Sequence, residues 1–495
     1  MIRDWSKFQL AAFEHVATSK RHLIVSARAG SGKSTTIVEM TRRVPARKSI
    51  VVCCFNKGIA EAMRKVVDTR VKVLTFNGIG HLAIDKLAKG YKLDKWRQKK
   101  IVSQVLPNAR LIPISAFSDV EHIVNMCMSR LASDPVSVDK VMRDYDFLPE
   151  NPTFEPLYVK WALEVLEKSK EVTDVVSYND QIWLPTALGL AVTPRDYVFV
   201  DEMQDVNPAQ ESLIKKALKP TGKLIAVGDE RQAIYAFRGA GTDTMSRIQK
   251  LFDADVLPLS ITYRCPTRVV NLVNPIVPDL EAAPGSPTGL LAVKGEAEFL
   301  SGVRHGDVVI SRNNASIAKY AMVLLKRNTR VRVLGKSFGG GLERLVRRLG
   351  GVDTIAMLNA LTEHVKVETE TLIAADKADK VETLNDQAET IRALSEGVRT
   401  CEDLIARFAH LFNTNEEKGV EVDNTVVTFG TVHKMKGLEF DRVWMFESTF
   451  WLNSTENENL YYVAATRAKK ELYLVQLPSK TGKIFPSTAA SWGKV

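Results

Sequence analysis

The sequence predicts an α/β protein with two parallel-sheet regions, each interrupted by a mostly helical insertion. Three observations carry that expectation. Short apolar runs recur between helical stretches, which is the pattern of parallel strands joined by crossover helices. Two blocks, 82–190 and 346–422, keep helical periodicity without such runs. The 495 residues are enough for about three folded units.

The elements follow in order. Leu23 to Val25 is an apolar run feeding the Gly-rich segment Ala29-Gly30-Ser31-Gly32, and Ile37, Val38 and Met40 give the next helix its apolar face. Ile50 to Phe55, Val71 to Phe76, Tyr197 to Val200 and Leu224 to Val227 have the length of buried strands. Between them, Lys160 to Leu166 is the clearest amphipathic helix of the first insertion. Tyr91 to Lys100 holds five cations and two aromatics. A phosphate backbone with a stacked base fits such a run, but charge runs are usually solvated faces. The expectation is therefore a helix surface with Trp96 packed inward. A second α/β region starts near Leu259, with strands at Val308 to Ser311, Val331 to Leu334, Asn424 to Phe429, Val443 to Phe446 and Leu472 to Val475. Ala283 to Gly289 reads as a loop and Gly339-Gly340-Gly341 as a turn. Residues 361–390 carry eight acids and three lysines, the balance of a solvated helix.

Composition narrows the function. Hydrophobic residues at 45% and charged residues at 25% are those of a globular chain, which excludes a mainly disordered or collagen-like one. A formal charge of +10 suits a polyanionic partner without proving one. Five cysteines without a CxxC pair argue against a zinc site or a disulfide framework, and for a reducing cytoplasm. The N-terminus lacks a signal-peptide core and no run of 18 apolar residues occurs, so no membrane association is expected.

The chemistry starts at Ala27-Arg28-Ala29-Gly30-Ser31-Gly32-Lys33-Ser34-Thr35, close to a P-loop whose opening Gly is replaced by Ala27. Gly30 and Gly32 let backbone N–H groups close on phosphate oxygens, Lys33 adds charge at the β/γ phosphates, and the Ser34 hydroxyl suits Mg²⁺. Downstream, the strand Tyr197 to Val200 ends in Asp201-Glu202-Met203-Gln204-Asp205. A carboxylate at that strand end, Asp201, suits Mg²⁺, and Glu202 suits the general base for an attacking water. ATP and Mg²⁺ are the expected cofactors and NTP hydrolysis the expected reaction.

Asp-Glu-x-Gln-Asp is the form this motif takes in superfamily 1 helicases, and the sequence resembles their UvrD/Rep/PcrA-like branch in a compact form. Phe8-Gln9 resembles the Q motif, which implies that Gln9 reads adenine. Phe55-Asn56-Lys57 and Thr75-Phe76-Asn77-Gly78 resemble motifs Ia and Ib, which implies single-strand contacts. Val227-Gly228-Asp229-Glu230-Arg231-Gln232 resembles motif III, with Gln232 sensing the γ-phosphate, and continues to Phe237, either a base-stacking aromatic or a core phenylalanine. Tyr263-Arg264 resembles motif IV, and Ser311 to Ala315 a further segment of that region. Thr431 to Phe440 resembles motif V; there His433 is a DNA-side or a structural histidine, and Glu439 a ribose contact or a surface acid. Tyr462 to Ala468 resembles motif VI, with Arg467 joining Arg264 as γ-phosphate arginines.

The resemblance implies two RecA-like P-loop domains closing on ATP. They are 1–81 with 191–258, interrupted by the helical insertion 82–190, and 259–345 with 423–495, interrupted by the reduced insertion 346–422. It implies a DNA-dependent ATPase moving 3′ to 5′ on single-stranded DNA and acting at single-strand/duplex junctions, with a replication or recombination protein as a possible partner. The chain ends 28 residues after Arg467, so no fused nuclease domain is expected there. A translocase that strips proteins from DNA, a nucleic-acid-gated ATPase subunit of a larger complex and an RNA helicase remain open readings.

Overall fold

In the computed structural model the described residues are 4–478, except 108–111, 114, 146, 150, 172–173, 235–242, 352, 375–377 and 413–422. The chain folds as two compact units, Met1–Ser260 and Ile261–Val495.

The first unit is built on strands β1 (Leu23–Ala27), β2 (Ile50–Cys54), β3 (Val71–Thr75), β6 (Arg195–Val200), β7 (Leu218–Gly228) and β8 (Asp255–Leu259). They form one sheet in the order β3-β2-β6-β7-β1-β8, every pair parallel. Two short strands, β4 (Lys92–Leu93) and β5 (Val175–Val176), pair separately from this sheet. Strand β8 is not among the strands expected from the sequence, for a physical reason. It is an edge strand, only its last residue is buried, and it contains Pro258, which lacks the N–H that a central strand needs.

A separate hydrophobic cluster has Val120, Ile123, Tyr158, Val165 and Leu184 among its members. A buried ion pair, Arg97 Nη1 to Asp180 Oδ2 at 2.8 Å, ties the helix Arg97–Val105 to the helix Tyr178–Ala187. Trp96 corrects the sequence expectation: it is 54% exposed, while its neighbour Arg97 is the buried residue.

The second unit carries a small pair, β9 (Ile261–Thr262) and β10 (Glu281–Ala282). Its main strands are β11 (Leu290–Gly295), β12 (Val308–Ser311), β13 (Val331–Val333), β14 (Val427–Thr431), β15 (Phe440–Met445) and β16 (Ala468–Gln476). They form a sheet in the order β11-β16-β15-β12-β14-β13, again parallel throughout.

The helical segment of this unit shares its core with the sheet. Leu361, Ala388, Ile391, Leu404 and Phe408 lie in one cluster with Val309, Phe429 and Trp444. Asp386 in the helix Ala378–Ser395 also caps the helix Asn314–Lys326, accepting from the N–H groups of Asn314 at 3.0 Å and Ala315 at 2.8 Å. The expected turn at Gly339–Gly341 is corrected as well. These glycines lie inside the helix Lys336–Leu349. A Cβ on Gly339 would stand 2.8 Å from Phe412 Cβ, so glycine serves close packing there rather than chain reversal.

Candidate nucleotide site and nucleic-acid face

A parallel sheet delivers all its strand C-termini to one edge, and adjacent strands lie about 4.8 Å apart. Strands β6, β7 and β1 are neighbours. Their ends therefore bring together Asp201-Glu202, Asp229 and the loop from Arg28 to Lys33, three segments far apart in the chain. Gly30 and Gly32 in that loop have φ of +71° and +80°, conformations that disfavour any side chain. The helix Lys33–Arg43 begins at Gly32 with no side-chain cap, leaving the first-turn N–H groups pointed outward.

Lys33 lies at the centre. Its Nζ donates to Glu202 Oε2 at 3.0 Å. Burial alone would lower its pKa, but Glu202, Asp229 and Asp201 outweigh burial and hold the ammonium above its ordinary value. Glu202 sits in the left-handed region at φ 54°, ψ 47°, a conformation worth about 1–3 kcal/mol of strain in a non-glycine residue. Asp201 is 2% exposed. Burial, then the adjacent Glu202, push its carboxyl above the usual range, against the pull of Lys33.

Gln204 links these groups to motif III, a role that the motif alone does not assign to it. Its Nε2 donates to Glu202 Oε2 at 2.6 Å and its Oε1 accepts from the Asp229 N–H at 2.9 Å. Asp229 Oδ2 in turn accepts from Gln232 Nε2 at 2.6 Å. Arg28 Nη1 reaches Asp229 Oδ1 at 3.4 Å from the loop itself. A single hydrogen-bonded series thus runs Lys33–Glu202–Gln204–Asp229–Gln232. The sequence places Gln204 two residues from Glu202 but holds no signal for its second partner, since an amide oxygen accepts from whichever N–H the fold brings within reach.

The site fits a triphosphate with a divalent cation. Ser31 Oγ is buried without a hydrogen-bond partner among the described residues, an orphan that a phosphate oxygen satisfies. No group of three or more His, Cys, Asp or Glu suited to a metal occurs among the described residues. Asp201 and Ser34 would then be the protein ligands, with phosphate oxygens and water completing the sphere as Mg²⁺ prefers. Gln9 is 4% exposed and its amide is already engaged, accepting from Ser6 N–H at 3.1 Å and donating to Thr36 Oγ1 at 3.1 Å. Thr36 Oγ1 donates to the Gly32 carbonyl at 3.0 Å, so Gln9 braces the loop. Beside Ser34 and Thr35 lies a cleft of about 560 Å³ floored by Val38, Ile59 and Met63 and bordered by Trp5.

The expected DNA residues emerge at the same edge, after β2 and β3. Asn56 is exposed, and its Oδ1 caps the helix Lys57–Arg64 by accepting from Ile59 N–H. Thr75 caps the helix Phe76–Ile84 through Gly78 N–H. Asn77 Nδ2 donates to the Tyr178 carbonyl at 2.8 Å and to Gln181 Oε1 at 3.2 Å. Phe55 is half-buried. Phe76 corrects the expectation: at 1% exposure it belongs to the core with Ile79, Val198 and Leu213, and offers no ring face to a base. Phe237 lies outside the described residues.

In the second unit, Arg264, Glu439 and Arg467 come together at the start of β15 and β16. Arg264 Nε donates to Glu439 Oε2 at 2.6 Å and its Nη1 approaches the Thr466 carbonyl at 3.5 Å. Arg467 is 1% exposed and donates to the carbonyls of Leu438 at 3.0 Å and Val463 at 2.8 Å. His433 is half-buried in the short helix Val432–Met435 after β14.

The UvrD/REP helicase N-terminal domain matches residues 5–253, and the UvrD-like helicase C-terminal domain matches 308–478. F-box DNA helicase 1 of Gallus gallus is 25% identical over 91% of this chain and 47% of its own length. DNA helicase II of Escherichia coli K12 is 24% identical over 65% of this chain and 48% of its own. ATP-dependent DNA helicase PcrA of Bacillus subtilis is 24% identical over 53% of this chain and 38% of its own. The chain thus spans less than half the length of each of these relatives. No helix among the described residues is long and apolar enough to cross a membrane. With one matched domain in each unit, and the P-loop and acidic motif meeting at one sheet edge, the chain belongs to the UvrD/REP helicase family.

Proposed function

We propose that this chain is an ATP-driven motor that moves 3′ to 5′ along single-stranded DNA and separates strands at single-strand/duplex junctions. The observation that carries the reading is the hydrogen-bonded series from Lys33 through Glu202, Gln204 and Asp229 to Gln232. It joins a phosphate-binding lysine, a candidate general base and a candidate γ-phosphate sensor in one buried network. Bound ATP with Mg²⁺ supplies the hydrolysable phosphoanhydride and the charge that these residues answer to. Lys33 is free to leave Glu202 for a stronger anion, which releases the Glu202 carboxylate to accept a proton from water. Gln204 retains its grip on Glu202 during that exchange.

Arg264 and Arg467 take the part of γ-phosphate arginines, a role worth about 10³ to 10⁵ in rate where measured elsewhere. Gln9 and Glu439 take the nucleoside end. Phe55, Asn56, Thr75, Asn77 and His433 take the strand. We further propose the four-part division named above, with 82–190 and 346–422 as insertions.

The test is ATP hydrolysis with and without single-stranded DNA, followed by unwinding of 3′-tailed and 5′-tailed duplexes. Stimulation by DNA and unwinding of the 3′-tailed substrate support the reading. Stimulation without unwinding leaves a strand-bound translocase, stimulation by RNA alone an RNA motor, and no stimulation without an added protein a subunit of a larger complex.

A further inference from the structure

Trp96 is a large aromatic that the fold leaves in the open. It precedes the helix Arg97–Val105 and is 54% exposed. Two ammonium groups stand by its ring, Lys95 Nζ at 5.0 Å and Lys99 Nζ at 5.8 Å from the centroid. An open cleft of about 570 Å³ is lined by Trp96, Lys99, Lys100, Ser103 and Gln104.

Several exposed cations on other helices of the unit are paired four residues along, as in Lys57 with Glu61, Lys140 with Asp144 and Lys160 with Glu164. Lys95 and Lys99 make no ion pair among the described residues, and they sit four residues apart with like charge. Lys99, in the first turn of the helix Arg97–Val105, opposes its dipole. The local partner of both lysines is the indole ring itself, and neither ammonium has a counter-anion among the described residues.

A second aromatic lies on the same seam. Strands β4 and β5 run parallel with Leu93 opposite Val176. Trp96 follows one strand and Tyr178, 57% exposed, follows the other, so both leave the same end of the ribbon. The Tyr178 carbonyl also holds Asn77, which the proposed function places on the strand.

We propose that Trp96, with Lys95, Lys99 and Tyr178, forms a second platform for single-stranded DNA on the first insertion. A base stacks on the indole and flanking phosphates meet the two lysines. An indole plane takes a base face only when that base is unstacked from a neighbour, which favours a single strand over a duplex. This inference rests on the proposed single-strand function.

The experiment is anisotropy of a labelled oligonucleotide with the full chain across a salt series. It compares wild type with Trp96→Ala, Trp96→Phe, Tyr178→Ala and a Lys95→Gln/Lys99→Gln double variant. Loss of one stacked base weakens binding by about 5- to 150-fold in Trp96→Ala, and Trp96→Phe recovers most of it. The lysine variant lowers the slope of log affinity against log salt by about 1.4, at about 0.7 per phosphate contact on a single strand. DNA-free ATP hydrolysis stays at the wild-type rate in all variants. A wild type that binds no single strand sinks the functional reading itself. A wild type that binds, with Trp96→Ala and the lysine variant unchanged in affinity and slope, overturns the platform alone. Loss confined to blunt duplex also overturns it, since it makes the partner a double helix.

Discussion

Gly228 and Gln204 offer a test of the buried network by coupling. A Cβ on Gly228 would stand 2.6 Å from Gln204 Oε1, 3.0 Å from Met245 Sδ and 3.2 Å from Gln204 N. Gln204 is 1% exposed and has no room to swing aside. Gly228→Ala therefore displaces the amide that holds Glu202 and Asp229. Overpacking of this kind costs about 1–3 kcal/mol. A lost hydrogen bond to a charged group adds about 1.5–3 kcal/mol, and a stranded buried N–H about 1–3 kcal/mol. These overlap, and a combined loss of about 2–5 kcal/mol is expected. Glu202 then relaxes from its left-handed conformation, and turnover falls by about 10- to 100-fold, within the share a positioned general base supplies. Gln204→Ala removes the same amide and gives a similar loss. In the double variant the closest clash is gone, and the pliable Met245 thioether at 3.0 Å and the Gln204 backbone N at 3.2 Å need give by only a few tenths of an ångström, so Gly228→Ala adds little. The expected coupling is about 0.5–3 kcal/mol. The assay is steady-state ATP hydrolysis of the four chains with saturating single-stranded DNA, read beside their melting curves. Purely additive losses in the double variant would refute the argument, because they would mean that the two positions act through different contacts.

Four further outcomes are expected. Lys33→Ala abolishes ATP turnover and leaves oligonucleotide affinity largely intact; hydrolysis at the wild-type rate removes the phosphate-loop assignment. Arg467→Ala lowers turnover by about 10³-fold or more with a modest change in nucleotide affinity. It also lowers the melting temperature, since the Leu438 and Val463 carbonyls lose the bonds that Arg467 donates; unchanged turnover ends the γ-phosphate role. Gly80→Ala would place a Cβ 1.6 Å from the Gln181 carbonyl oxygen, a backbone atom that cannot rotate away. The helices Phe76–Ile84 and Tyr178–Ala187 must part, at about 1–3 kcal/mol or more, and faster proteolysis of the 82–190 insertion reports it. Asp201, raised by burial and by Glu202, binds its proton more tightly folded than unfolded. Stability of the metal-free chain therefore falls as pH climbs from the ordinary carboxylate range toward neutrality. Mg²⁺ affinity rises over the same window with release of a proton, and a pH-independent Mg²⁺ titration counts against Asp201 as a ligand.

Much of the fold was legible because buried parallel strands announce themselves as apolar runs. Val71 to Phe76 and Val308 to Ser311 are placed within a residue of their observed ends. The missed strands fail that signal. β8 holds Pro258, and β11, at an edge of the second unit's sheet, shows only one buried position. The glycine run at 339–341 misled because glycine signals both reversal and close packing, and only Phe412, some seventy residues on, decides between them. Trp96 misled for a related reason. The sequence shows that one face of its helix is buried, and it was Arg97, paired to a distant Asp180, that took the inside.

The candidate site divides along the same line. Lys33, Asp201 and Gln232 were readable because each follows a strand, and parallel topology turns that local fact into a shared edge. Gln204 was not readable as a link, because its partners are fixed by which strands are neighbours. Had β7 not lain next to β6, Gln204 would have had no Asp229 N–H within reach. The DNA face shows the converse. Asn56 and Thr75 are both helix caps, and Ser, Thr or Asn at a strand-to-helix junction is favoured for that reason alone. Capping explains these residues without any strand of DNA, so their substitution by alanine mixes a lost cap of about 0.5–2 kcal/mol with any lost contact. Trp96 and Tyr178 carry no such structural duty in their side chains. That makes them the cleaner probes of where DNA lies, and a binding loss there without a shift in melting temperature is the result that separates contact from fold.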